Sequence, residues 1–145
     1  MKYTHTITVP LAWKDAVRRT REALAGEGFG ILSEIDVRST FAAKLGPGAA
    51  EELGDYVILG ACNPALARRA LSAEPDMGAL LPCNVVVRQG KDANESIIQA
   101  IDPQTMAKLS DSPEVQDVAN DADVRLRAAL AFLGGGTPGT EAPTP

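Results

Sequence analysis

Between Tyr3 and Val9 the chain alternates, with Tyr3, His5, Ile7 and Val9 on one side and Thr4, Thr6 and Thr8 on the other. That is the period of a half-buried β-strand. Pro10 breaks the alternation, and Trp13, Val17, Thr20 and Leu24, accompanied by Ala16 and Ala23, then recur every three or four positions among charged residues. This spacing predicts an amphipathic helix. Gly26-Glu27-Gly28 supplies a glycine able to take a left-handed C-cap, after which Phe29 to Val37 alternates again, Ile31, Ile35 and Val37 opposite Glu34 and Asp36. A second strand is expected there.

Ser39 is placed to cap a short helix over 40–45, followed by punctuation at Gly46-Pro47-Gly48 and a solvated connection at Glu51-Glu52. Tyr56 to Ala61 is apolar without alternation, the pattern of a strand covered on both faces and central in a sheet. Asn63-Pro64 reads as N-cap and first residue of a helix carrying Leu66, Ala67, Ala70 and Leu71 and ending before Pro75. A turn region containing Asp76, Met77 and Gly78 leads to Cys83-Asn84-Val85-Val86-Val87-Arg88, a β-branched strand. Polar residues 89–94 turn it into a hairpin with Ser96 to Ile101. Asp102-Pro103 opens a short helix through Met106 and Leu109. Ser112-Pro113 opens a long one whose buried stripe is Val115, Val118, Ala122, Leu126, Ala129, Leu130 and Leu133. Hairpins mixed with crossovers predict an α+β fold, one mainly antiparallel sheet of about five strands with helices packed on one face. The domain is expected over residues 1–134, with 135–145, rich in Gly, Pro and Thr, as a disordered tail.

Composition narrows the function. With 145 residues, 45% of them hydrophobic, the chain is long enough for a core without disulfide or metal staples. A net charge of −5 opposes non-specific binding to nucleic acid or anionic lipid, and 4% aromatic residues leave little for base stacking. No stretch approaches the roughly 20 apolar residues of a membrane span. The first residues lack the apolar run of a secretory signal, so a cytoplasmic protein with reduced Cys62 and Cys83 is expected.

The most specific chemistry lies in Gly60-Ala61-Cys62-Asn63-Pro64, where a thiol directly before a helix start is placed near unpaired N–H groups that stabilise thiolate. The competing reading makes Cys62 a small buried hydrophobe, and Cys83, after Leu81-Pro82, invites the same interpretation more strongly. Adjacent strands could bring the two sulfurs together as a soft-metal or redox pair. One histidine is too few for a Cys and His zinc site, whereas Cu(I) could use Cys62 and Cys83 with Met77 or Met106. His5, on the apolar face of the first strand, suits a hydrogen-bonded residue at the core margin better than a general base, although a Cys and His pair stays open. Glu34 and Asp36 share one face of the second strand and could act as paired carboxylates, although a solvated sheet face accounts for them equally well, and helix capping accounts for Asp102. No phosphate-binding glycine loop, dinucleotide fingerprint or Ser-His-Asp arrangement is present.

Four segments in order, Gly60-Ala61-Cys62-Asn63-Pro64, Ala73-Glu74-Pro75, Leu80-Leu81-Pro82-Cys83-Asn84-Val85-Val86-Val87 and Ala100-Ile101-Asp102-Pro103, resemble the DUF302 family of small bacterial and archaeal proteins, over about residues 2–133. The resemblance implies a single-copy TATA-binding-protein-like fold, a curved antiparallel sheet backed by helices, usually as a homodimer. It implies no activity, because the family is itself uncharacterised, and it does not carry DNA binding to an acidic chain. The leading expectation is a cytoplasmic homodimeric binding protein holding a small ligand or thiophilic metal near Cys62, Asn63, Pro64, Cys83, Asn84 and His5, without catalysis of its own. The alternatives are a thiol enzyme or redox sensor, with Cys62 as nucleophile and Cys83 as resolving partner, and a structural partner-binding module.

Overall fold

A computed structural model describes residues 2–135. Five strands, β1 (Thr4–Val9), β2 (Gly30–Asp36), β3 (Asp55–Cys62), β4 (Cys83–Gln89) and β5 (Ser96–Ile101), form one antiparallel sheet in the order β1-β5-β4-β3-β2. The six helices are α1 (Trp13–Gly26), α2 (Val37–Leu45), α3 (Pro47–Leu53), α4 (Pro64–Ala73), α5 (Gln104–Ala107) and α6 (Pro113–Leu133), with a 3₁₀ turn over Pro75–Leu80. The expected α+β architecture is the observed one. The run 56–61 is interior but not central; β4 holds the middle of the sheet, with β3 between it and the edge strand β2.

One face of the sheet is buried. Ile7, Val57, Leu59, Val85, Val87, Ile98 and Ala100 project into the core, where α1 and α6 cover them. Every residue of the stripe expected on α6 is buried, and Leu126 is fully so. Trp13 anchors the start of α1, its indole Nε1–H donating to the Val87 carbonyl at 2.9 Å. The C-terminus of α1 closes as its glycines predict: Gly28 has φ +85°, and the Phe29 N–H donates to the Leu24 carbonyl at 3.0 Å.

Three local expectations are corrected. The cap of α2 is Asp36, whose Oδ1 accepts the Ser39 N–H at 2.9 Å, so the helix starts at Val37 and Ser39 serves only as the donor. Residues 47–53, expected as a connection, form α3, because Pro47 occupies the first helical turn where a missing N–H costs nothing. In β2 the register shifts between Ile31 and Ser33, so Ile31 faces the core beside Ala61 while Ile35 pairs with Ile58 on the open face and is half exposed. Glu34 consequently turns to the helical side, where it meets Arg21 of α1 at 2.8 Å. The expected tail lies, Gly135 apart, outside the described residues.

Candidate functional site

Ala61 and Cys83 stand directly opposite each other across β3 and β4, close to where β3 gives way to α4. The turn is made by Asn63, whose Oδ1 accepts the Leu66 N–H at 3.2 Å, with Pro64 at the first helical position. Gly60 permits the tight approach of β2 and of the segment leading into β4: a Cβ there would overlap the Ser33 hydroxyl and lie 2.9 Å from Pro82 Cγ. This close approach is made by the protein's own residues. Pro82, which follows a cis peptide bond, in turn leads into Cys83.

Beneath this corner is a cavity of about 50 Å³ between the end of β3, the start of β4 and helices α4, α5 and α6. Its walls are apolar apart from Asn63: Phe29, Leu66, Val115 and Val118 contribute bulk, while Ala61, Ala67, Ala70, Ala119 and Ala122 leave the space open. The sulfur content is concentrated. The chain has two cysteines and three methionines, and Cys62, Cys83, Met77 and Met106 all line this cavity. Both cysteines are free thiols; Cys83 is buried and Cys62 is partly accessible. Burial pushes the Cys83 thiol up to about 11, and the neighbouring Cys62 adds to the shift.

Helix-terminus stabilisation at Cys62 has a narrower basis than the sequence suggests. Pro64 has no N–H, the Leu66 N–H is taken by Asn63 Oδ1, and the Ala67 N–H donates to the Asn63 carbonyl at 2.9 Å. Only Ala65 of the first three helical residues is left to face an anion.

The other expected site residues separate. Asn63 lines the cavity, but Pro64 is exposed on α4 and does not contribute to its wall, and Asn84 is exposed on the open face of β4. His5 belongs to a different cluster: its Nε2 lies 2.6 Å from Asp123 Oδ1 and 3.7 Å from Asp102 Oδ1. The pairing expected of a core-margin histidine is therefore present, and no thiol faces it in this arrangement. Asp123 was not legible as its partner from strand and turn motifs. The available signal was position, since Asp123 stands among Ala119, Ala122 and Leu126 in the buried stripe of α6, where an aspartate requires compensation. Asp102, expected as the cap, accepts the Gln104 N–H at 2.9 Å, but α5 starts one residue later than expected, at Gln104, with Pro103 in the N-cap position.

Glu34 and Asp36 do not form a carboxylate pair for acid–base work. One is held by Arg21 and the other caps α2. Among the described residues, no helix is long and apolar enough to cross a membrane.

Comparison with known proteins adds the family. No curated protein matches the chain. The crystal structure of the uncharacterized conserved protein DUF302 from Bacillus stearothermophilus is similar at 29% sequence identity and a TM-score of 0.78, covering 90% of this chain and 97% of that one. The model of the domain of unknown function DUF302 matches residues 5–133, which takes in all five strands but the first residue of β1, all six helices and every residue of the sulfur-lined cavity. The chain belongs to the DUF302 family.

Proposed function

We propose that this protein is a binding protein, without catalysis of its own, whose sulfur-lined cavity takes a thiophilic metal ion, Cu(I) in particular. The observation that carries this reading is the convergence of Cys62, Cys83, Met77 and Met106 on one small apolar space. Thiolates and thioethers together form the donor set that selects a soft monovalent ion. Size supports the same choice: about 50 Å³ is well under the roughly 150 Å³ of a cavity that admits benzene, and drug-sized ligands need about 300 Å³ or more. An ion fits such a space without remodelling of the helices.

The elevated Cys83 thiol makes uptake proton-linked. Binding Cu(I) to thiolate expels the Cys83 proton to solvent, so affinity rises with pH. The same elevation counts against the thiol-enzyme alternative, because a resolving thiol reacts as thiolate and Cys83 is protonated near neutrality. A reducing cytoplasm suits the reading by keeping both sulfurs available. Homodimerisation, part of the same proposal, is supported by the open sheet face, where Ile35, Ile58, Val86 and Ile97 present apolar surface opposite the helices.

The test is anaerobic titration with Cu(I) against a chromogenic chelator, read alongside native mass spectrometry. One ion per chain is expected, with at least about tenfold weaker binding in Cys62→Ala and Cys83→Ala and a smaller loss in Met77→Leu and Met106→Leu. Equal retention of Cu(I) by the wild type and both cysteine variants would eliminate the proposal.

A further inference from the structure

His5, Asp102 and Asp123 come from three separate elements, β1, the turn after β5 and α6, and converge outside the sulfur-lined cavity. Their ligand-type atoms all lie within 4.8 Å of one another. The side chains are 16%, 25% and 11% exposed, so the cluster is sheltered by the fold yet open on one side to solvent. It is independent of the proposed Cu(I) site and differs from it in chemistry, offering one imidazole nitrogen and two carboxylate oxygens in place of sulfur.

We infer that His5, Asp102 and Asp123 form a binding site for a divalent cation of the Mn²⁺ class. Ligand type decides the class: carboxylates with imidazole suit Mn²⁺ and its neighbours, whereas thiolates and thioethers suit Cu(I). Spacing agrees. Adjacent ligands about 2.2 Å from a shared octahedral ion stand roughly 3.1 Å apart, and His5 Nε2 is 3.7 Å from Asp102 Oδ1. The 2.6 Å contact from His5 to Asp123 Oδ1 opens by about 0.5 Å to reach the same separation, a movement within the reach of one carboxylate rotation.

Both carboxylates are already oriented by neighbours, Asp102 through the same Oδ1 that faces His5 and Asp123 from behind through Oδ2. The Gln104 N–H donates to Asp102 Oδ1 at 2.9 Å, and Arg127 Nη1 approaches Asp123 Oδ2 at 3.7 Å, leaving Oδ1 of Asp123 directed toward His5. Such outer contacts hold metal-ligating carboxylates in place. Charge is suitable too: two aspartates offset by one arginine leave a net negative site for a dication. His5 enters as the neutral imidazole with its proton on Nδ1, so that Nε2 donates its lone pair to the ion in exchange for its hydrogen bond with Asp123. Solvent reaches the remaining coordination positions through the exposed side.

His5 is the only histidine in the chain, so its ring-proton NMR signals report on this site without ambiguity. Titration of the full-length protein with MnCl₂ is expected to broaden those signals selectively at stoichiometric metal. Electron paramagnetic resonance of free Mn²⁺ is expected to show one ion bound per chain. Asp102→Asn and Asp123→Asn should weaken binding at least about tenfold, and Cys62→Ala and Cys83→Ala should leave it unchanged. Because Asp102 is partly exposed, its variant provides a folded control if Asp123→Asn is destabilised. The inference is overturned if Mn²⁺ leaves the His5 signals unaffected, if it broadens surface carboxylates equally, or if folded Asp102→Asn binds as the wild type does. In any of those cases the His5–Asp123 contact is a structural staple between β1 and α6.

Discussion

Cys83 lies directly across from Ala61, and that single register places the buried thiol beside the segment that carries Cys62. A slip of one residue would turn Cys83 to the open face and Asn84 inward, because side chains alternate along a strand. The cavity, the elevation of the Cys83 thiol and the sequestration of two methionines all depend on this pairing.

The Cys83 thiol gives stability a pH dependence. Burial raises it from 9.0 to about 11, so the folded state keeps the proton that the unfolded chain releases first. Its contribution is fully present below pH 9 and is lost as pH rises toward 11, about 2 to 3 kcal/mol at most. Urea unfolding at pH 8 and pH 11 should show a larger fall for the wild type than for Cys83→Ala. Parallel slopes for the two proteins would refute this assignment. In the same protein at pH 8, a thiol-alkylating reagent should modify partly accessible Cys62 well before buried Cys83, as counted by mass spectrometry with and without denaturant.

Gly60→Ala should be costly although alanine is small. The added methyl overlaps the Ser33 hydroxyl and approaches Pro82 Cγ at 2.9 Å, so β2 or the Leu81-Pro82 segment must shift. A loss of roughly 1–3 kcal/mol is expected from overpacking. Gly48→Ala, where a Cβ meets nothing within 4 Å, is the control and should lose little in the same denaturation experiment.

Helix capping separates two neighbouring residues. Asp36→Ala removes the acceptor for the Ser39 N–H and should cost about 1 kcal/mol, whereas Ser39→Ala retains the backbone donor and should cost much less. Asn63→Ala removes the Oδ1 acceptor at the start of α4 and should also cost about 1 kcal/mol. Equal losses at Asp36 and Ser39 would return the cap to the serine.

Leu126 is fully buried on α6 beneath the sheet. Leu126→Ala should destabilise by roughly 2–5 kcal/mol, the range for deleting a core leucine side chain and leaving a cavity. Calorimetry or urea titration would measure it, and a loss below about 1 kcal/mol would mean that α6 is not docked as described.

The elements that local chemistry specifies were readable in the chain. Alternation marked β1, the α6 stripe was identified residue by residue, and Asn63-Pro64 and Ser112-Pro113 each announced a helix that starts there, capped by the named side chain. Composition put Cys62 and Cys83, with Met77 or Met106, forward as candidate soft-metal ligands, and all four line one cavity. What failed locally had a local competitor: Asp36 captured the cap of α2 ahead of Ser39, Pro47 opened a helix where glycines suggested a break, and the shift in β2 separated Ile31 from Ile35.

Sequence alone determined that this is an α+β chain with a covered sheet face, because periodicity and capping are properties of neighbours along the backbone. Only the tertiary structure decided which distant groups meet. Strand order made β4 central, cross-strand register gathered Cys62, Cys83, Met77 and Met106 around one cavity, and the docking of α6 carried Asp123 to His5 across 118 residues of chain. Those meetings follow from register and packing between elements, for which a linear pattern holds no coordinate.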